Sequence, residues 1–470
     1  MISSQPQYEP IPDDDDVSVD QEDSQPEALE VDVRTKRIFF VLGCALLLPW
    51  NVLITAIPFF LSRLEDSPSL KLTFSSYLSA LCNFVNLVSL THATFLRKHS
   101  PSPSLETRRM ILVLAGLTFM LELSTKIRLP AGLFAIFVLL NGAAQASCCS
   151  YLQKAVITVG SLYGPAGLQP ILSGQAAVAV VVSSVQVLSV ATTTWSLPRE
   201  SIATYVSDGS AEERAAFIFF ACSTVFLLFC ALAHSWLVRM PLYQRVAGFL
   251  EEKSQGKSHH LADHAEEHTG LVPMHGSGRD IGRILKENII YEFAVAYVFI
   301  ITLSVFPPIT TSILPTSPDI HPLLFSSIHF LVFNTGDLIG RYLCSFPSLL
   351  IWSAHRLLAL SLSRTLFIPL FLMCNVQRPD SLIHSTPVIS SDLLYMLILL
   401  VFGVSNGYVG TMCIISAPSL EHNPRLRGRK EDVDIVATVI NFSLTGGLVI
   451  GSAASFGVKA AVCNCNPFTG

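Results

Sequence analysis

The stretch Ile38-Phe39-Phe40-Val41-Leu42-Gly43-Cys44-Ala45-Leu46-Leu47-Leu48-Pro49-Trp50-Asn51 holds no charged residue, and apolar character continues to about residue 60. A helix needs about 20 such residues to cross the hydrocarbon core of a bilayer. Comparable stretches recur near 75–95, 110–123, 131–153, 170–193, 215–238, 289–312, 323–346, 355–374, 392–416 and 434–458. Eleven transmembrane helices are therefore expected. Breakers such as Pro49, Pro130, Pro198, Pro315 and Pro369 lie within or near their ends, where the lost backbone N–H is tolerated. The segment at 75–95 is rich in Ser, Thr and Asn, and the one at 110–123 stops short at Glu122. Composition agrees: 51% of the 470 residues are hydrophobic, 14% are charged, and the mean hydropathy is +0.52. Soluble domains carry roughly a quarter charged residues, so a water-soluble enzyme is disfavoured.

Charge is distributed unevenly. Eleven of the 35 acids precede the first base, Arg34, so the chain opens with an acidic, proline-dotted tail over residues 1–36. Such a composition predicts disorder. The rest of the chain holds 30 bases against 24 acids, without the concentrated basic patch that a nucleic-acid polymer would require. With the N-terminus cytosolic, 19 Lys and Arg fall in cytosolic loops and 8 outside, while Lys154, Arg341 and Arg364 lie within spans. That asymmetry follows the positive-inside rule and places the two termini on opposite sides. The first thirty residues are acidic and polar without an apolar core, so no cleavable signal is expected in them.

Residues 239–288 form the one long polar insert, separating an N-terminal bundle of six spans (37–238) from a C-terminal bundle of five (289–470). Five histidines (His259, His260, His264, His268 and His275) are scattered through it without a metal-ligand spacing, so it reads as a solvated regulatory linker. Nine of the 11 cysteines sit in apolar runs, where a thiol acts as a small hydrophobe. No metal site and no cofactor is expected. A two-bundle chain with a cytosolic connection suggests a transporter.

Polar groups inside spans are the functional signal, since an ionised side chain at mid-bilayer costs roughly 2.5 to 3.5 kcal/mol. The sharpest group is Phe333-Asn334-Thr335-Gly336-Asp337-Leu338-Ile339-Gly340-Arg341. Helical spacing stacks Asn334, Asp337 and Arg341 on one face, with Asp337 and Arg341 four apart as an ion pair. They either neutralise each other and lock helices together or line a substrate path, the carboxylate accepting from hydroxyls and the guanidinium donating to oxygens. Gly336 and Gly340 are expected on the opposite side of the helix, where a neighbour packs closely. In the first span, Trp50 follows a mid-helix proline and is either an interfacial anchor or a stacking surface; Asn51 is an interhelical bond or a ligand contact. In the fourth, Gln153 is interhelical glue or a ligand group, and Lys154 snorkels toward the cytosol. Gln175 opens the fifth and reads as structural, while Asn441-Phe442-Ser443 is a glycosylation sequon placed inside the last span.

Taken together, L-P-W-N (Leu48 to Asn51), S-G-Q (Ser173 to Gln175), F-P (Phe306, Pro307), F-N-x-x-D-x-x-G-R (Phe333 to Arg341), S-N-G-Y (Ser405 to Tyr408) and a Gly/Ser-rich end (Gly446 to Phe456) resemble the equilibrative nucleoside transporter family. The resemblance runs in order over about 38–460. The Q-A-A-V run at Gln175 and V-Q-V-L at Val185 to Leu188 look like fungal members. The family implies an all-α, eleven-span relative of the major facilitator fold, arranged 6 + 5, with alternating access and no ATP. It maps ribose binding to Asp337 and Arg341, a base-side tryptophan to Trp50 and base reading to Gln153. That last transfer departs from the family pattern, because Gly160-Ser161-Leu162-Tyr163-Gly164 follows only after an intervening run.

The expected function is a facilitative nucleoside or nucleobase carrier in the plasma membrane or a vacuolar or lysosomal membrane, with Trp50, Gln153, Asp337, Arg341, Asn334 and Asn51 as site residues. Proton-coupled uptake through Asp337 or Glu292 is the runner-up, and a receptor or scaffold the alternative of another class. Walker A, G-x-S-x-G and H-E-x-x-H sequences are absent, so an enzyme is not expected.

Overall fold

A computed structural model of the chain describes residues 31–65, 67–96, 101–194, 210–254, 278–306, 309–317, 320, 322–376, 387–429 and 432–463. Residues 1–30 of the acidic tail, the five histidines between 259 and 275 and Pro198 lie outside the described residues, whereas Val33 to Lys36, placed in that tail by the sequence reading, already form the first turn of the first helix.

Helices occupy each apolar stretch of the sequence. The first half holds α1 (Val33–Thr55), α2 (Ile57–Ser62), α3 (Pro68–Thr91), α4 (Pro103–Ser124), α5 (Ala131–Leu162), α6 (Pro165–Thr194), α7 (Ser210–Val238) and α8 (Pro241–Ser254). The second half holds α9 (Gly278–Val305), α10 (Pro322–Leu343), α11 (Ala354–Ser363), α12 (Phe367–Leu372), α13 (Asp392–Ser416) and α14 (Val433–Cys463). A 3-10 turn at Arg364–Leu366 joins α11 to α12, just before Pro369, whose missing N–H prevents a regular α-helical bond back to Thr365. Among the described residues the only β pairing is an isolated bridge between Ile313 and Val376.

Among the described residues eight helical runs are long and apolar enough to cross a membrane: Val33–Ser62, Ala131–Leu162, Pro165–Thr192, Glu212–Val238, Gly282–Val305, Ala354–Leu372, Asp392–Ser416 and Val433–Val458. The helices α3, α4 and α10 have spanning length, 24, 22 and 22 residues, but are not among these runs. Charged residues flank the apolar part of α4 (Glu106, Arg108, Arg109, Glu122), and α10 carries His329, Asn334, Asp337 and Arg341.

Packing sorts the helices into two bundles. In the first, α1 packs on α6 and α7, α3 on α5, and α4 on α5 and α7; in the second, α9 packs on α14, α11 and α13, and α10 on α13. The bundles meet where α6 packs on α10 and α13, and where α14 packs on α5 and α3. Small residues allow the closest approaches. A Cβ on Gly340 would lie 2.2 Å from the Val404 carbonyl oxygen, and one on Gly407 only 2.0 Å from that of Asp337, so α10 and α13 touch backbone to backbone. The glycine face of α10 is not opposite its polar stripe, as the sequence reading has it. Gly336 and Asp337 are consecutive, about 100° apart around a helix of 3.6 residues per turn, and both meet α13.

Helix also extends into both ends of the polar insert expected as linker. The apolar residues of α8 seat it on the first bundle, with Tyr243 and Ala247 buried. Glu251 then accepts from the Ser104 N–H (3.0 Å), the Ser104 hydroxyl (2.7 Å) and the Tyr243 hydroxyl (2.8 Å). Its carboxylate thereby sits on the first turn of α4, where the helix dipole favours negative charge. Burial, with the Glu251 carboxylate beside it, pushes the Tyr243 hydroxyl up, so it remains a donor.

Candidate functional site

The stripe predicted on one face of α10 is present, and its partners lie in both bundles. Asp337 and Arg341 form the ion pair expected from their spacing, Arg341 Nε donating to Asp337 Oδ2 at 2.8 Å. Both side chains are largely withdrawn from solvent, which makes a charge-assisted bond of this length strong. Arg341 Nη1 reaches across to α6, donating to the Leu172 carbonyl (2.9 Å) and to Gln175 Oε1 (3.3 Å). Gln175, read from sequence as structural, is thus a direct partner of the guanidinium. Asn334, one turn before Asp337, also faces α6 and donates to the Ser183 hydroxyl at 2.6 Å.

The second carboxylate oxygen is held from within the C-terminal bundle. Asn406 of α13 donates to Asp337 Oδ1 at 2.6 Å. Thr302 of α9 donates to Asn406 Oδ1 at 2.7 Å, and Arg364 Nη2 donates to Thr302 Oγ1 at 2.8 Å. Arg364, 1% exposed, also donates to the Phe402 carbonyl (3.1 Å) and the Ser405 hydroxyl, and lies 4.5 Å from the centre of the Phe402 ring. Asn406, Thr302 and Arg364 were not singled out from sequence. Two signals pointed to them: an arginine inside a span, which needs partners at that depth, and the S-N-G-Y run that contains Asn406.

The remaining predicted residues lie on other helices. Gln153 of α5 donates to Asn441 of α14 at 2.6 Å, a bond between the two bundles. The sequon asparagine is therefore buried and spoken for. Lys154 donates to the Ala93 carbonyl instead of reaching only for the membrane surface. Trp50, half-buried, packs against the apolar core of the N-terminal bundle. Asn51 bonds within its own helix, its amide donating to the Leu47 carbonyl at 2.9 Å. Neither alternative read from sequence describes that contact; next to Pro49 a side-chain donor adds a bond to a helix that lacks one backbone N–H. The stripe on α10 is thus joined to α6 and α13, while Trp50 and Gln153 stand on α1 and α5, which also pack on α6.

Chemically, the pair retains capacity. An ionised carboxylate offers about four lone-pair directions, and Asp337 uses one on each oxygen for Asn406 and Arg341. Among the described residues Arg341 Nη2 has no protein acceptor, so the guanidinium also keeps donors to give.

The sequence model of the family described as Nucleoside transporter matches residues 143–460. Equilibrative nucleoside transporter 1 of Rattus norvegicus is 28% identical, covering 90% of this chain and 96% of the relative; its Homo sapiens counterpart is 25% identical with the same coverage. Among solved structures, the major facilitator superfamily transporter FucP in its outward conformation superposes with a TM-score of 0.54 at 14% identity, covering 93% of this chain and 95% of that one. At that identity the likeness speaks for the fold.

Proposed function

The chain belongs to the nucleoside transporter family, and from that membership we propose that it carries nucleosides across a membrane by alternating access of its two bundles, without ATP. One observation supports the substrate class above the others. Asp337 and Arg341 sit at the boundary between bundles with free acceptor positions on the carboxylate and free donors on the guanidinium, a match for the vicinal hydroxyls of a ribose. In this reading Asp337 accepts from the sugar, Arg341 donates to its oxygens, and Asn334 braces the pair against α6. Trp50 supplies a ring face for the base. Gln153 reads the base edge with its carbonyl oxygen, or with its amide once Asn441 releases it. Asn51 stiffens α1 beside Trp50.

Alternating access follows from where these groups sit. The bonds from Arg341, Asn334 and Gln153 cross between bundles, so substrate hydroxyls and ring edges compete with them, and occupancy biases how the bundles meet. In the same reading α3, α4 and α10 complete eleven crossings, the N-terminus is cytosolic, and the protein resides in the plasma membrane or a vacuolar or lysosomal membrane.

Flux of a radiolabelled nucleoside into proteoliposomes, with and without a pH gradient, tests the proposal. Saturable flux that equalises without a gradient is expected; no nucleoside flux from correctly inserted protein would overturn it. A proton-coupled second reading is favoured by one group: Glu292 on α9 is buried, and its Oε1 has no hydrogen-bond partner among the described residues. Concentrative uptake abolished by a protonophore and by Glu292→Gln would favour that reading.

A further inference from the structure

The chain of bonds from Arg364 to Asp337 has a direction that chemistry imposes. Arg364 donates only, so Thr302 Oγ1 is an acceptor toward it. The single Thr302 hydroxyl proton is then shared between the Val298 carbonyl and Asn406 Oδ1, each 2.7 Å away. Asn406 must present its oxygen to Thr302 and its NH2 to Asp337. A flipped amide would set its oxygen 2.6 Å from a carboxylate oxygen, acceptor against acceptor. Arg341 holds the other carboxylate oxygen from the opposite end.

We propose that Arg364 is a positioning residue for the substrate site: through Thr302 and Asn406 it fixes the plane of the Asp337 carboxylate so that one acceptor direction on each oxygen stays open to a vicinal diol. It touches no substrate itself. The 3-10 turn ahead of Pro369 places Arg364 between α11 and α12, and the Phe402 ring and carbonyl clamp its guanidinium. The clamp gives the relay a rigid anchor. Specificity for the sugar is then set partly from the ninth span, although the groups that meet the sugar are on the eighth. This proposal rests on the reading of Asp337 as the ribose acceptor.

Arg364 is too deeply buried for its own replacement to be informative, so the test acts at the middle of the relay. Thr302→Val removes the hydroxyl at nearly constant volume, and Thr302→Ser keeps it. For each protein in proteoliposomes, uptake of radiolabelled adenosine is competed with unlabelled adenosine and with 2′,3′-dideoxyadenosine. The readout is the ratio of the two inhibition constants, which does not depend on how much protein folds. In Thr302→Val, adenosine should weaken about tenfold while the dideoxy analogue changes less than about twofold, the scale of one lost polar interaction. Thr302→Ser should keep the wild-type ratio. Asp337→Asn is the control for the underlying reading and should collapse the same ratio. A collapsed ratio in Asp337→Asn with an unchanged one in Thr302→Val would overturn the relay and leave the sugar site standing. Equal weakening of both competitors in Asp337→Asn, or wild-type protein without competable uptake, would overturn the sugar assignment and the relay with it.

Discussion

Three charges share the site, two guanidinium groups and one carboxylate, so the buried cluster of Arg341, Asp337 and Arg364 carries one net positive charge. This sets the cost of each substitution, because an uncompensated buried charge is destabilising by about 3 to 5 kcal/mol. Asp337→Asn leaves two cations without an anion and should lower membrane abundance most. Asp337→Asn with Arg341→Gln returns the cluster to its original net charge and should recover abundance, though not saturable flux. Quantitative immunoblotting of membranes beside flux checks both, and a double variant no more abundant than Asp337→Asn would sink the charge accounting. Trp50 makes a separate claim. If its ring carries the base, Trp50→Ala should weaken substrate affinity by about ten- to a hundredfold, the worth of a base-aromatic contact, with Trp50→Phe recovering part and purines losing more than pyrimidines. Competition by adenosine and by free ribose separates this from anchoring, since ribose has no base: equal losses for both would remove the stacking role.

Among the elements, α10 and α13 approach backbone to backbone at the site, and glycines make it possible. The backbone of α13 at Gly407 lies so close to the Asp337 carbonyl that any Cβ must push the helices apart. The same movement would carry Asn406 away from Asp337, since Asn406 is the neighbouring residue. Gly407→Ala is therefore expected to cost a few kcal/mol in stability, the range of an overpacked core, and to reduce nucleoside affinity in whatever protein survives. Thermal unfolding in detergent and adenosine competition together check this; an unchanged Tm would show that the close approach is dispensable. At the start of α9 a second element pair has the same logic with charges. Arg283 binds Asp432 through two bonds of 3.1 Å, and Arg429 joins Asp432 to Glu287 at 2.7 Å each, pinning the α13–α14 connection onto α9. Bases counted for membrane orientation are here also structural.

The molecule as a whole consists of two bundles joined by helix packing and by polar bonds across it, and rocking requires that these contacts be broken and remade. Asn83 of α3 and Ser452 of α14 meet across the interface at 3.3 Å. A disulfide between Asn83→Cys and Ser452→Cys should arrest flux until it is reduced; full flux through verified cross-linked protein would contradict rocking about this interface. The proposed eleven crossings give the other whole-molecule test: a tag after Gly470 should react with impermeant reagent on the side opposite an N-terminal tag, and finding both termini on one side would refute eleven spans. Sequence alone determined the membrane class, the places of the long apolar helices and the Asp337–Arg341 pair, because apolar length and an i, i+4 spacing are local properties that any helix of this sequence carries. The family motifs also brought Asn406 into view without a role. Only the tertiary structure decided that Asn406 and Thr302 tie Arg364 to Asp337, that Gln153 spends its amide on Asn441, 288 residues away, and that the glycine face adjoins the polar stripe. Those contacts depend on which helices pack together and at what rotation and depth, and no periodicity along a single helix encodes that.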